Sequence, residues 1–352
     1  MESSKTVAIV IVNWNGADML QGCLNTVKRQ SYTDIRVIIV DNGSTDNSVE
    51  LLQMYYPEFE LIVLPKNTGF ATGNNVGIRK ALEYPDVEYI FTLNNDTELF
   101  DTTVQQAVLV GESTKSEMVQ LGAIATKMIY MDDESLIDSV GILTHPDGGG
   151  LSRGNREPDI GQYNETEEVF GACGGAALYT RGMIEDILEN DSFFDDQFFA
   201  YYEDLDIAWR AQLRGWKTYS APQSVVKHIH SATAKSYSPF KAYHVNRNRF
   251  YVIIKNYPLW FAFRALLITP MRYIRLLNSV RIKKGPSHEL TQRTSPIQPF
   301  LLVLKGWVSI VYHLPGLLTK RWKIQSRKKI TSAEINDLFQ KYTASIEEMI
   351  YK

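Results

Sequence analysis

Four times between Val7 and Leu99 an apolar run of strand length stops abruptly at a polar segment, and the first three of these segments lead into helix-spaced sequence. Val7–Val12 ends in Asn13-Trp14-Asn15-Gly16, after which Met19, Leu20, Leu24 and Val27 carry a helical repeat to Gln30. Ile35–Val40 ends in Asp41-Asn42-Gly43-Ser44-Thr45-Asp46, with a helix from about Ser48. Leu61–Leu64 leads into a loop over Asn67–Asn75 and a helix to about Glu83, and Val87–Leu93 ends in Asn94-Asn95-Asp96. Strands alternating with helices predict an α/β fold, a mostly parallel central sheet covered on both faces with right-handed crossovers. Ligands bind such sheets at the carboxyl ends of the strands. Here those ends carry Asn13, Asp41, Asn67 and Asp96.

Asp96 is the sharpest of the four. A carboxylate at a strand end can hold a divalent cation, and Asn94 and Asn95 beside it can orient phosphates or a sugar. The competing reading is that Asp96 only caps the helix after it. No Gly-x-Gly-x-x-Gly follows the first strand and no Gly-x-x-x-x-Gly-Lys-Ser/Thr occurs. A pyrophosphate would therefore need a metal or basic side chains. Gly148-Gly149-Gly150 follows Pro146-Asp147 with no strand before it and is expected to be a flexible loop.

Further strands are expected over Leu121–Tyr130 and Val169–Tyr179, the second interrupted by Gly171, Gly174 and Gly175. A second acidic cluster, Tyr202-Glu203-Asp204-Leu205-Asp206, opens a helix ending near Arg214-Gly215. In its first turn the free amides and macrodipole favour ionised Glu203 and Asp204, and an ionised carboxylate at a cleft can take a proton from an attacking hydroxyl. Simple capping explains the same residues. Asp206 and Arg210, four apart, are expected to form a surface ion pair. His228 and His230 end a short strand on one face, and Arg247-Asn248-Arg249 fits either a diphosphate clamp or an ordinary basic surface.

Taken in order, these segments resemble the nucleotide-sugar glycosyltransferases of family 2, most closely the rhamnosyltransferase-like branch. The resemblance spans about Val7 to Asn256 and rests on Ile-Val-Asn-Trp-Asn-Gly, Val-Asp-Asn-Gly-Ser-Thr-Asp, Asn-Thr-Gly-Phe-Ala-Thr-Gly-Asn-Asn, Leu-Asn-Asn-Asp, Tyr-Glu-Asp-Leu-Asp-Ile-Ala-Trp-Arg and Arg-Asn-Arg. It implies a Rossmann-like GT-A fold and an inverting hexosyl transfer from a nucleotide sugar, by resemblance alone dTDP-rhamnose, to a saccharide or lipid-linked saccharide. It also implies that Asp41 reads the base, while Asn13, Asn15, Asn67, Gly69, Asn75, Asn94, Asn95 and Arg247 line the donor site. Asp204, with Glu203 beside it, would be the catalytic base. Asp96 would hold Mg²⁺ or Mn²⁺ with His228, whose spacing to Ser231 fits the family pattern better than that of His230. Asn94 stands where the family's metal motif has its first acid, so the cation is expected to be labile and held mainly by the donor diphosphate. Competing readings are a non-catalytic nucleotide-sugar-binding scaffold and a nucleotidyltransferase, the latter having no need of the Glu-Asp helix start.

The rest of the chain is read without that resemblance. Residues 1–255 hold 21 Lys+Arg against 35 Asp+Glu, and residues 256–352 hold 16 against 5. A basic, apolar, helical region over 257–352, appended to a domain over 1–256, predicts an anionic partner surface. Its apolarity argues against nucleic acid and for lipid headgroups, although helices packed on the domain or on a second copy of the chain are the alternative. Phe300–Leu318 is marginal for a spanning helix because Lys305 lies inside it. Two cysteines and an N-terminus with no cleavable signal pattern predict a cytoplasmic protein, peripheral on the cytoplasmic face of a membrane.

Overall fold

The computed structural model describes residues 5–115, 118–229, 238–295 and 297–351. The apolar runs form the expected alternation: β1 (Thr6–Asn13), α1 (Ala17–Lys28), β2 (Ile35–Asp41), α2 (Ser48–Tyr55), β3 (Glu60–Val63), α3 (Gly69–Leu82) and β4 (Val87–Asn94). Then come β5 (Thr97–Leu99), α4 (Thr103–Thr114), β6 (Leu121–Tyr130), β7 (Ile137–Ser139), β8 (Ile142–Thr144), β9 (Gly150–Ser152), β10 (Glu168–Val169), β11 (Ala176–Thr180), α5 (Arg181–Ile187), α6 (Glu203–Leu213) and β12 (Lys217–His228). The chain finishes in α7 (Pro239–Asn256), α8 (Leu259–Arg281), α9 (Pro286–Arg293), α10 (Gln298–Ser326), α11 (Ser332–Tyr342) and α12 (Ile346–Tyr351).

These elements fall into two units, one holding the described residues of Met1–Ile142, Ser152–Ala200 and Trp216–His230, the other those of Leu143–Leu151, Tyr201–Gly215 and Ser231–Lys352. In the first unit the strand order is β10-β12-β6-β11-β4-β1-β2-β3. β1 runs parallel to β2 and β4, and β2 to β3. Helices cover this half, so Val7–Ile11 are wholly buried, which is why the run is continuously aliphatic rather than alternating. The register sets Asn13 opposite Asp41 and Val12 opposite Asn94, which levels the polar strand ends. β11 is antiparallel to both β4 and β6, and β12 is parallel to β6, so the second half of the sheet is mixed.

Three local expectations change. α3 begins at Gly69, so Phe70–Asn75 are helical rather than loop. Asp96 caps no helix, because the chain turns at once into β5, which pairs antiparallel with the end of β12 and sets Thr97 opposite His228. The expected strand Val169–Tyr179 breaks into β10 and β11, with Gly171, Gly174 and Gly175 in the connection and the Gly175 carbonyl accepting the Asn94 N–H at 2.8 Å.

The second unit does not begin at residue 257. α6, α7 and the turn over 143–151 belong with the C-terminal helices, because buried contacts tie them together. Trp209 of α6 packs on Tyr257 and Phe339, the Phe250 ring of α7 lies 4.5 Å from Trp307 of α10, and the Lys329 N–H donates to the Leu213 carbonyl. The Gly148–Gly150 run is correspondingly a packed turn and not a flexible loop. Gly148 has φ +84°, and a Cβ there would come within 2.4 Å of Ile253. Asp147 in this turn is buried against Arg272 (3.0 Å), His145 (2.8 Å) and Arg249. Burial alone would raise its carboxyl pKa, but the His145 hydrogen bond and the Arg272 and Arg249 guanidiniums outweigh it and hold the acid far below the usual range.

Candidate active site

The parallel strand ends of the first unit form one hydrogen-bonded chain. Asn95 Nδ2 donates to Asn13 Oδ1 at 2.7 Å, and Asn13 Nδ2 donates to Asp41 Oδ2 at 3.0 Å. The Ser44 N–H closes on Asp41 Oδ1 at 2.9 Å. Gly16 is required beside this chain, since a Cβ there would fall 2.2 Å from the Asn95 amide nitrogen. Asp41 is completely buried, each oxygen already taking one protein donor, so any base contact uses its remaining lone pairs. Asn15, at φ +50°, accepts the Thr45 N–H at 2.7 Å and shapes the same turn. Asn67 accepts the Gly69 N–H at 2.8 Å, with Gly69 at φ +88° against Phe199. Asn75 has another job: its amide donates to the Phe194 carbonyl and Asp196 and accepts from the Phe193 and Phe194 N–H groups, which uses its full hydrogen-bonding capacity.

Asp96 stands in the turn between β4 and β5, 6% exposed, its carbonyl accepting the Ile229 N–H at 3.0 Å. Its Oδ1 is buried, makes no hydrogen bond and lies 3.4 Å from His228 Nε2. On the other side of the ring, His228 Nδ1 is 2.6 Å from Asp138 Oδ2. Burial would lower the His228 pKa, but the Asp138 hydrogen bond and Asp96 reverse this and push it up to about 10. Asn94 offers its main chain here, its carbonyl accepting the Thr97 hydroxyl at 2.6 Å.

A divalent cation fits this pair. A carboxylate oxygen without a hydrogen bond beside an imidazole is a donor set that Mn²⁺ accepts on displacing the His228 Nε2 proton, while Mg²⁺ would rely on the carboxylate. Among the described residues there is no group of three or more His, Cys, Asp or Glu side chains able to hold a metal, so most of the coordination would fall to a ligand's oxygens and water. His230 and Ser231, the other members of the histidine motif, lie outside the described residues.

The second unit holds Glu203, Asp204, Asp206 and Arg247. Tyr202 precedes α6 in the left-handed region at φ +71°, with its hydroxyl accepting the Gly150 N–H at 3.2 Å. Asp204 in the first turn accepts the Leu205 N–H at 2.8 Å. Glu203 departs from the readily ionised group expected of a helix start: it is buried, its Oε2 has no hydrogen bond among the described residues, and burial, then Asp204 and Asp206, push its pKa well up, which favours the protonated acid. Asp206 and Arg210 form no surface pair: both are buried, and Asp206 binds Arg210 Nε (2.9 Å), Lys255 Nζ (2.9 Å) and Asn256 Nδ2 (2.8 Å). The i,i+4 spacing is the same on a solvated and a buried helix face, and the tertiary partner decides. Arg247 is buried between the Tyr243 and Tyr251 rings and donates to Asn248 at 2.8 Å, while Arg249 is buried against Asp147, so neither is an ordinary basic surface.

Asp138 is the residue that the sequence did not disclose. Its signal is slight, a single acid inside the apolar stretch Leu136–Val140, and only folding brings it to His228, 90 residues away.

The pattern of the family described as "Glycosyl transferase family 2" matches residues 8–188. An uncharacterized glycosyltransferase, YibD of Escherichia coli, is 27% identical over 126 residues, 35% of each chain. The low-salt glycan biosynthesis hexosyltransferase Agl10 of Haloferax volcanii is 23% identical over 212 residues, 58% of this chain and 61% of that one. The chain thus spans less than two thirds of either relative's length. Among solved structures, Staphylococcus aureus TarS 1-349 superposes with TM-score 0.53 at 15% identity, covering 97% of this chain and 90% of the other. The mannosyltransferase PcManGT of Pyrobaculum calidifontis, in complex with GDP-Man and Mn²⁺, gives TM-score 0.52 at 14% identity, covering 97% and 89%.

Proposed function

The chain belongs to glycosyl transferase family 2, and from that premise we propose that it transfers a hexose from a nucleoside diphosphate sugar to a saccharide acceptor, with inversion, in cell-envelope polysaccharide or glycan biosynthesis. The carrying observation is Asp96: a buried carboxylate oxygen without a hydrogen bond, beside His228 at the strand ends of a Rossmann-like sheet. The manganese and GDP-mannose of PcManGT, a neighbour in fold, support the same pairing of cation and nucleotide sugar.

Asp96 and His228 would hold the cation, which when bound neutralises charge developing on the leaving diphosphate. Asn13, Asn15, Asp41, Asn67, Gly69, Asn94 and Asn95 form the proposed donor contacts, and the sequence resemblance alone adds Arg247 as a cation for the diphosphate. Asn75, saturated by residues 193–196, is no longer among them. Asp204 takes the acceptor hydroxyl's proton as that oxygen attacks the anomeric carbon from the face opposite the leaving group. Burial pushes the Glu203 pKa up and favours its protonated form, which supports Asp204 over Glu203 as the base. The dTDP-rhamnose assignment rests on the sequence resemblance alone. Incubating the protein with a panel of nucleotide sugars and an acceptor, and reading the anomeric configuration of the product by NMR, tests the proposal. A product with inverted configuration supports it, and retention contradicts it.

For the acceptor, a lipid-linked saccharide at the cytoplasmic face of a membrane suits the second unit. α10 is long and apolar enough to cross a membrane by length and composition, and most of it is exposed. Trp260, Phe263 and Leu267 of α8 and Phe300, Trp307, Val311 and Trp322 of α10 are exposed as well. We place this surface in the headgroup zone of an anionic membrane. Trp260→Glu with Val311→Glu would abolish flotation on anionic liposomes, and undiminished flotation would overturn the placement.

A further inference from the structure

We propose that Asp138 is a positioning residue for His228, fixing which ring nitrogen faces the cation. The inference rests on the reading of His228 as a cation ligand. Asp138 lies in β7, whose pairing with β6 slips out of register between Met128 and Ile129, with Met128 opposite Ser139 and Ile129 opposite Ile137. Asp138 itself is skipped by the ladder, a placement in which bulges commonly re-aim a side chain. Its Oδ2 meets His228 Nδ1 at 2.6 Å, and its Oδ1 and carbonyl accept from Asn155 Nδ2 at 3.4 and 3.2 Å. Asn155 is pinned in turn by the Tyr130 hydroxyl at 3.1 Å, and Tyr130 is the β6 residue opposite His228. Asn155, Asp138 and His228 thus make a closed, buried relay that ends with Nε2 directed at the hydrogen-bond-free oxygen of Asp96. By accepting the Nδ1 proton, Asp138 leaves Nε2 as the nitrogen that gives up its proton to a cation, the arrangement in which a carboxylate behind a histidine holds its orientation for a metal.

The test measures free Mn²⁺ by electron paramagnetic resonance during titration of the full chain, comparing wild type, His228→Ala, Asp138→Asn and Asn155→Ala, with thermal unfolding of each. We expect His228→Ala and Asp138→Asn each to weaken Mn²⁺ binding by about 10- to 100-fold and Asn155→Ala by less, with Asp138→Asn still folding cooperatively. ¹⁵N-histidine spectra, simplified because the chain has only six histidines, should show the His228 Nδ1–H signal displaced in Asp138→Asn. Weakened binding in His228→Ala with wild-type binding in both Asp138→Asn and Asn155→Ala overturns the positioning role and leaves the ligand reading standing. Wild-type binding in His228→Ala overturns the ligand reading itself. If Asp138→Asn fails to fold, Asn155→Ala decides by the same comparison.

Discussion

Asp96 and Asp206 are both buried acids next to cations, yet they are finished differently. Asp206 binds Arg210, Lys255 and Asn256, and both its oxygens are engaged. Among the described residues, the Asp96 carboxylate faces His228 at 3.4 Å, and its buried Oδ1 makes no hydrogen bond. A buried charge is costly unless paired, so a fully paired acid fits a scaffold role, and an acid with one oxygen free of hydrogen bonds fits the proposed cation site. Glu203 is a third case, a buried acid whose pKa burial pushes up, so the cost is eased by favouring the protonated form.

The comparison can be broken in graded ways. Asp204→Asn should lower kcat by about 10²- to 10⁴-fold while the unfolding midpoint stays near that of wild type, because the loss is that of a general base. A variant as active as wild type would remove Asp204 from the chemistry. Asp206→Asn should do the reverse: it leaves Arg210 and Lys255 buried without their acid and costs about 3–5 kcal/mol of stability, readable by urea unfolding. Loss of activity with no loss of stability would make Asp206 a site residue instead.

The metal-free protein should also report on His228 through pH. Its pKa in the folded state, about 10, lies above the ordinary histidine value. The stabilisation is therefore fully present below about pH 6.5 and fades as pH rises toward 10. Urea unfolding of wild type and His228→Ala across that range should converge at the alkaline end, and a constant gap would contradict the Asp138 and Asp96 pairing. The smallest effect is expected for Glu203→Gln. Glu203 has its folded pKa raised, so above its unfolded pKa wild type gives up stability to keep the acid neutral. Glutamine should be neutral or slightly stabilising at pH 7, with the difference vanishing in acid.

The sheet was legible because β1, β2 and β4 are buried, and buried parallel strands show as unbroken aliphatic runs whose polar ends stand out. The polar end of β4, which leads into Asp96, stood out for that reason. The start of α3 was missed because Gly69, Gly73 and Asn74 disfavour helix, yet Gly73 sits where a Cβ would come within 2.8 Å of Val12, so close packing on β1 overrides propensity. The division into units was hidden because it depends on long-range pairs such as Asp206 with Lys255, invisible to local pattern. Asp138 was hidden for the same reason, since its importance comes from the β7 slip that brings it to His228.

The central claim is that the open carboxylate at Asp96 supports cation-assisted release of a nucleoside diphosphate. Nucleoside diphosphate release from a nucleotide-sugar panel should be measured with Mn²⁺ and with EDTA, for wild type and Asp96→Asn. The account predicts release that EDTA abolishes and that Asp96→Asn lowers by at least about 10²-fold with the fold intact. Release unaffected by both EDTA and the substitution would contradict it.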